Sequence, residues 1–280
     1  MFKHVTPWFT VILVSFSLSL QAETEIADEL VWNLQIDLSV VSDPTELVGV
    51  TQKEESDFVE LALYMDLYYK GFFIQSNKNR TRFSNFGAEI GYHLYEESNY
   101  EISLVHKSYA TGFDENEIYG EGAGEDVVPE LEGINSRFDT SMQGLRFLNY
   151  TDNRLFWVDV AGDLISGEHR GWAVDAFYLL TYQLRNWDID AGIGATYFSD
   201  KTNTYLYGVS PSESRALRPA YTPGSGHVFS VEVSARYPLS ASWVFNTGVS
   251  VNQYSSSISD SPLVARDTVT RFKVSVGYVF

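Results

Sequence analysis

From Val31 to the last residue the chain repeats a period of two, in blocks of about ten residues, the length a tilted strand needs to cross bilayer hydrocarbon. Trp32, Leu34, Ile36, Leu38 and Val40 alternate with Asn33, Gln35, Asp37 and Ser39. Val59, Leu61, Leu63, Met65, Leu67 and Tyr69 alternate with Glu60, Ala62, Tyr64, Asp66 and Tyr68. Phe86, Ala88, Ile90, Tyr92 and Leu94 oppose Gly87, Glu89, Gly91 and His93. Trp187, Ile189, Ala191, Ile193, Ala195 and Tyr197 oppose Asp188, Asp190, Gly192, Gly194 and Thr196. The chain closes on Phe272, Val274, Val276, Tyr278 and Phe280 against Arg271, Lys273, Ser275 and Gly277. Read this way, the sequence predicts twelve strands, at 31–41, 58–69, 71–76, 85–95, 99–110, 135–149, 154–164, 171–184, 187–198, 227–238, 242–254 and 268–280, with ten and fourteen as alternative counts. The third is short. The sixth changes face at Phe138, Met142, Leu145 and Phe147, which predicts a bulge or a shifted register.

Alternation alone does not say whether the apolar face points into a core or out to lipid. Two features favour lipid. Large aromatics close the blocks on the apolar face, as Trp32, Tyr69, Trp172, Tyr182, Trp187, Tyr197, Tyr237, Trp243, Tyr278 and Phe280, where a bilayer interface favours amphipathic rings. The connections also alternate, long after odd strands and short after even ones, which is the asymmetry of outer-membrane barrels and leaves both termini in the periplasm. The predicted fold class is all-β, an antiparallel transmembrane β-barrel of about twelve strands.

Composition narrows the function classes further. With 44% hydrophobic residues, 15% aromatic, no cysteine and a net charge of −18, the chain is neither disordered, nor disulfide-stapled, nor a basic nucleic-acid binder. Lys3 and His4, an apolar stretch from Phe9 to Leu20, and Gln21-Ala22 ahead of Glu23 predict a signal peptide at 1–22 and a barrel at 23–280. Secretion without cysteine suits a Gram-negative envelope and location in the cell outer membrane.

The terminal strand, with Phe272, Val274, Val276, Tyr278 and Phe280 on one face, resembles the signature engaged by the barrel-assembly machinery of Gram-negative bacteria. Upstream, Tyr207, Gly208, Val209, Ser210 and Pro211 precede Ser212, Glu213, Ser214, Tyr221, Gly224 and Gly226; later come Trp243, then Asp260, Ser261, Pro262, Leu263 and Val264, then Gly277, Tyr278, Val279 and Phe280. In that order these segments resemble the MipA/OmpV family of MltA-interacting outer-membrane proteins, over residues 190–280 above all. The resemblance implies an outer-membrane barrel and, for the founding member, a scaffold holding a lytic transglycosylase near a murein synthase. Other members are linked to adhesion and to osmotic and antibiotic responses. Leu263 stands where the family usually has Ile, and the acidic stretch at 112–132 is particular to this chain.

The candidate chemistry is sparse. His106 and Ser108 share a strand face at the spacing of a barrel phospholipase, but Tyr109 and Ala110 follow where that pattern has Asn-Gly, and no third member is evident. Asp114, Glu115, Glu117, Glu121, Glu125, Asp126, Glu130 and Glu132 form an acidic connection without the spacing of a calcium loop. Arg215 and Arg218 are candidates for contact with lipopolysaccharide phosphate. Asp37, Glu60, Asp66, Glu89, Asp159, Asp175, Asp188, Asp190 and Glu232 are expected to line a lumen opposite Arg236, Arg271 and Lys273, which would favour cations if water passes. No catalytic residue, metal site or cofactor is expected. The expected role is a non-enzymatic interaction or scaffold protein of the envelope, whose partners are outer-membrane lipid and lipopolysaccharide, the barrel-assembly machinery and murein-synthesising or murein-cleaving enzymes. The alternatives are a narrow cation-preferring channel and a barrel lipid hydrolase.

Overall fold

In a computed structural model the described residues are 29–50, 58–76, 88–115 and 128–280. The expected leader at 1–22, the strand positions Phe86 and Gly87, and Glu117, Glu121, Glu125 and Asp126 of the acidic connection lie outside them. Twelve strands form one closed antiparallel barrel, each paired with its neighbours in sequence and the last with the first. They are β1 (Val31–Ser42), β2 (Val59–Tyr69), β3 (Phe72–Gln75), β4 (Glu89–Glu97), β5 (Tyr100–Ser108), β6 (Ser141–Thr151), β7 (Arg154–Gly162), β8 (Trp172–Leu184), β9 (Trp187–Phe198), β10 (Gly226–Pro238), β11 (Trp243–Tyr254) and β12 (Thr268–Val279). Among the described residues, two helices interrupt the long connections, α1 (Asp200–Tyr207) and α2 (Ser256–Ser259).

The barrel is inside out relative to a soluble core. Asp37 is wholly buried, at 0% exposure, while its neighbour Leu38 is 60% exposed. An aliphatic surface left outside and carboxylates held inside make sense only if the surroundings are hydrocarbon, which also requires every strand edge to be paired. Closure between β1 and β12 meets that requirement, with the register running from Gln35 opposite Val279 to Ser42 opposite Phe272.

At one end the turns are tight. Lys70 and Gly71, at φ of 50° and 82°, join β2 to β3 with the pair of positive φ angles that a two-residue hairpin of matching twist needs. Ser98-Asn99, Asp152-Asn153, Arg185-Asn186 and residues 239–242 close the other short links. Aromatic pairs ring this end: Trp187 against Tyr237 at 4.9 Å, Trp243 against Tyr278 at 5.1 Å, and Tyr278 against Phe280 at 4.8 Å. Trp172 and Tyr197, 5.4 Å apart, mark the opposite rim, where the connections are long.

Two expectations need correction. The sixth strand carries no bulge. It begins at Ser141 and its register with β5 is continuous; the apparent change of face came from counting Phe138, a connection residue, as strand and from Met142, an apolar side chain that points inward and is fully buried while Leu145 and Phe147 point out. The register shift falls instead in β4, between His93 and Tyr95. Nor is the interior polar throughout: Leu148, Tyr150, Leu155, Trp157 and Phe177 of β6, β7 and β8 form a buried apolar cluster facing inward. The Trp157 and Phe177 rings pack at a tilt with centroids 4.6 Å apart.

Candidate functional site: the interior network and the loop cap

The inward positions of β4 to β8 hold a compact ion network. Arg146 forks two carboxylates at once: Nη1 and Nη2 donate to Glu89 at 2.5 and 2.8 Å, while Nε and Nη2 donate to Asp159 at 2.7 and 2.9 Å. Lys107 bridges Asp159 at 2.8 Å and Asp175 at 3.1 Å. Asp175 also accepts from Trp157 Nε1 at 3.3 Å and Thr196 Oγ1 at 2.7 Å. Tyr109 donates its hydroxyl to Asp159, and Gln75 donates to Glu89. All five charged groups are buried, so each charge is satisfied by fixed protein partners, which is the condition for ionised groups in a low-dielectric interior. Glu89, Asp159 and Asp175 were legible as lumen carboxylates; Lys107 and Arg146, which organise them, were not. Their signal was available, since both occupy the inward phase of strands whose neighbours Leu104 and Leu145 point out.

A second set lines β1, β2 and β12. Lys273 Nζ meets Glu60 at 2.8 Å and the Tyr64 hydroxyl at 3.0 Å, Ser275 donates to Asp37 at 2.9 Å, and Arg271 pairs with Asp43. Nearer the short turns, Arg236 lies 3.8 Å from Asp188, and Thr181 donates to Asp190 at 2.6 Å. These groups are half-buried, unlike those at mid-height.

Above the network the long connections build a core of their own. Leu47 from the first, Phe113, Leu131 and Ile134 from the third, Leu206, Tyr207 and Val209 from the fifth, and Ile258, Leu263 and Val264 from the sixth pack together with Tyr254 and Val269. Ser199 caps α1, its side chain accepting from the Thr202 N–H, and Gly208 ends the helix. The two segments that carry the family resemblance meet here, 54 positions apart: Ser261 Oγ donates to the Tyr207 carbonyl at 2.7 Å. The Tyr207 and Tyr254 hydroxyls both donate to the Glu46 carboxylate, at 2.8 and 3.0 Å. Burial, reinforced by Glu46, pushes the Tyr207 hydroxyl well above the usual tyrosine range and so keeps it a donor. Val209 forms a two-way backbone bridge with Tyr221, Pro211 lies at the surface, and Pro262 is half-buried.

Glu213 pins this segment. Burial opposes its ionisation, but the Ser210 and Asn135 N–H groups, the Arg137 guanidinium and the Ser210 hydroxyl outweigh that cost and hold the carboxyl at about 2, against an ordinary 4.5. Arg218 is buried, donating to the carbonyls of Glu130 at 2.7 Å, Glu132 at 2.9 Å and Glu213 at 2.9 Å. Arg215 stays half exposed, 3.3 Å from Glu132. The two arginines are therefore not a matched pair on one surface.

His106 and Ser108 face outward and do not meet each other. His106 Nδ1 is 2.8 Å from Gln143 Nε2, and Ser108 Oγ donates to the Ala110 carbonyl at 3.0 Å. The residues of the terminal face stand on the lipid side of β12; Phe280 packs edge-on against Tyr278 and donates its N–H to the Leu34 carbonyl at 3.0 Å. Among the described residues no group of three or more His, Cys, Asp or Glu is arranged to hold a metal ion.

The family model described as MltA-interacting protein MipA matches residues 47–280. The MltA-interacting protein of Escherichia coli (strain K12) is 26% identical over 152 residues, covering 54% of this chain and 61% of that protein, so the match stops short of the relative's full length. The outer membrane protein OmpV of Vibrio cholerae is 26% identical over 116 residues, covering 41% of this chain and 45% of that protein. Among solved structures, the outer membrane channel DcaP of Acinetobacter baumannii overlaps 92% of this chain and 99% of its own at a TM-score of 0.44 and 8% identity, too weak a likeness to bear on activity.

Proposed function

The chain belongs to the MltA-interacting protein MipA family, and from that premise we propose that it is a non-catalytic scaffold that holds a murein-cleaving or murein-synthesising enzyme beneath the outer membrane. It is an outer-membrane β-barrel, and its relatives carry interaction or outer-membrane names rather than enzyme names. One observation supports the scaffold reading most: inward side chains at mid-height are buried, Asp37, Glu89, Arg146, Asp159, Ser230 and Ser250 among them, leaving the two ends as the surfaces for recognition. In this reading the short turns and both termini face the periplasm, and the exposed Asp152-Asn153 and Arg185-Asn186 turns are the docking points. At the other end Arg215, rather than the buried Arg218, presents a guanidinium to lipopolysaccharide phosphate. The face carrying Phe272 and Phe280 is what the assembly machinery engages.

The test is capture of a purified lytic transglycosylase by the tagged barrel in detergent. Parent protein retains the enzyme, and a variant with Asp152-Asn153 and Arg185-Asn186 both replaced by Asn-Gly releases it while keeping the heat-modifiable mobility of a folded barrel. Equal retention by both proteins, or none by either, removes the scaffold assignment.

A further inference from the structure

The connection between β7 and β8, residues 163–171, departs from the cap-forming ones. Apart from Leu217, those bury their aliphatic side chains, as with Leu47, Leu131, Leu206 and Leu263, whereas the adjacent pair Leu164 and Ile165 stands 78% and 79% exposed. Nor is this a slack loop. The Asp163 carboxylate accepts from Ser166 Oγ at 2.6 Å and from the N–H groups of Gly167, His169 and Arg170 at 2.8, 3.0 and 2.9 Å. Against the cost of burial those bonds hold the carboxyl well below the usual range, so it stays ionised and the loop stays tied.

The direction in which the loop leaves the barrel identifies what it meets. The Leu164 N–H donates at 3.1 Å to Gln143 Oε1, and Gln143 is in phase with Leu145 and Phe147 on the outward face of β6. Gln143 Nε2 in turn meets His106 Nδ1 at 2.8 Å on β5. The loop therefore begins by folding over the outside of the barrel, with the Leu164 side chain beside Gly162, which Trp172 also flanks. Trp172, packed against Tyr197 with tilted rings, is the rim of the apolar belt. The His106, Gln143 and Leu164 polar groups at this spot are bonded to one another, as an environment without water demands.

We propose that Leu164 and Ile165 form a rigid wedge that inserts among the bilayer acyl chains around the long-connection end, extending the apolar belt past its aromatic rim on the β6 to β8 side. The occupant is lipid because the wedge leaves the barrel on the outward face and is continuous with the lipid-facing belt, while the far end of the same loop is held to the cap by His169, 3.3 Å from Thr202 Oγ1 on α1.

The cysteine-free chain makes the test direct. Single variants Ile165→Cys, Leu164→Cys, Leu145→Cys and Leu217→Cys are spin-labelled and reconstituted in phosphatidylethanolamine and phosphatidylglycerol vesicles; Leu145 is the belt reference, and Leu217, 96% exposed on the cap, the aqueous one. Labels at 164 and 165 should collide with dissolved oxygen and be shielded from a water-soluble nickel chelate, like the label at 145. Nickel accessibility equal to that at 217 overturns the wedge. So does dipolar broadening between labels at 165, which would make the occupant a second copy of the chain.

Discussion

Replacing Arg146 by Met tests whether the interior is sealed. The guanidinium makes four N–H to carboxylate contacts between 2.5 and 2.9 Å, shared between Glu89 and Asp159. After its removal Asp159 keeps Lys107 at 2.8 Å and the Tyr109 hydroxyl, while Glu89 keeps a hydrogen bond from the neutral amide of Gln75 and the more distant charge of Lys107, with no ion pair of its own, and becomes the stranded charge. Breaking one partner out of a buried pair costs about 3–5 kcal/mol, since the remaining ion is left uncompensated in low dielectric. With a urea slope of about 3 kcal/mol per molar, the unfolding midpoint of the barrel should fall by about 1 to 1.7 M. Adding Glu89→Gln removes the stranded charge, and the pair should then show about 1–3 kcal/mol of coupling in a double-mutant cycle. The assay is urea unfolding in lipid vesicles followed by tryptophan fluorescence, with Trp157 beside the network as a reporter. A single variant within about 1 kcal/mol of the parent would mean that lumen water solvates Glu89, and the argument from a sealed interior would be lost.

Three further outcomes follow from named contacts. Leu63, exposed on the outward face of β2, should cost about 2–4 kcal/mol when changed to Arg if it faces hydrocarbon near the midplane, and almost nothing if it faces water; urea unfolding in vesicles distinguishes the two. Glu213 has its carboxyl held at about 2 rather than 4.5, so its stabilisation of the cap is complete above pH 4.5 and lost as pH falls from 4.5 towards 2; protease cleavage within residues 199–225 should rise across that window, and Glu213→Gln should be cleaved already at neutral pH. Changing Glu46 to Leu leaves the Tyr207 and Tyr254 hydroxyls buried without their acceptor, at about 1–3 kcal/mol each, and should show as faster hydrogen exchange in α1; unchanged exchange would place the cap's stability elsewhere.

Much of the barrel was legible because lipid outside and polar groups inside write a two-residue period that needs no long-range information. Val31 to Ser42 and Trp187 to Phe198 come within a residue of the strands read from alternation. Legibility failed where both faces are apolar. In β7, Leu155 and Trp157 point in while Phe156 and Val158 point out, so no period marks the inward cluster. It failed again in the cap, whose contacts join residues as far apart as Glu46 and Tyr207, 161 positions, a pairing that no local pattern encodes. The family segments were legible as an ordered series, but not as a single joint between Tyr207 and Ser261. The helix over Asp200–Tyr207 was missed although Ser199 ahead of Asp200 is an ordinary start signal.

The cap also straddles the place where the cylinder was last open. Leu47 follows the first strand and Val264 precedes the last; the two form a backbone bridge, with Val48 N–H to the Leu263 carbonyl at 2.9 Å and Ala265 N–H to the Glu46 carbonyl at 2.8 Å. These bonds continue the pairing of the first and last strands, so they are favoured once those strands have found each other. A chain released from its folding machinery with the seam unzipped would therefore lack its lid as well, and the lid, once shut, acts as a clasp that makes reopening the seam and unpacking the roof a single, cooperative event.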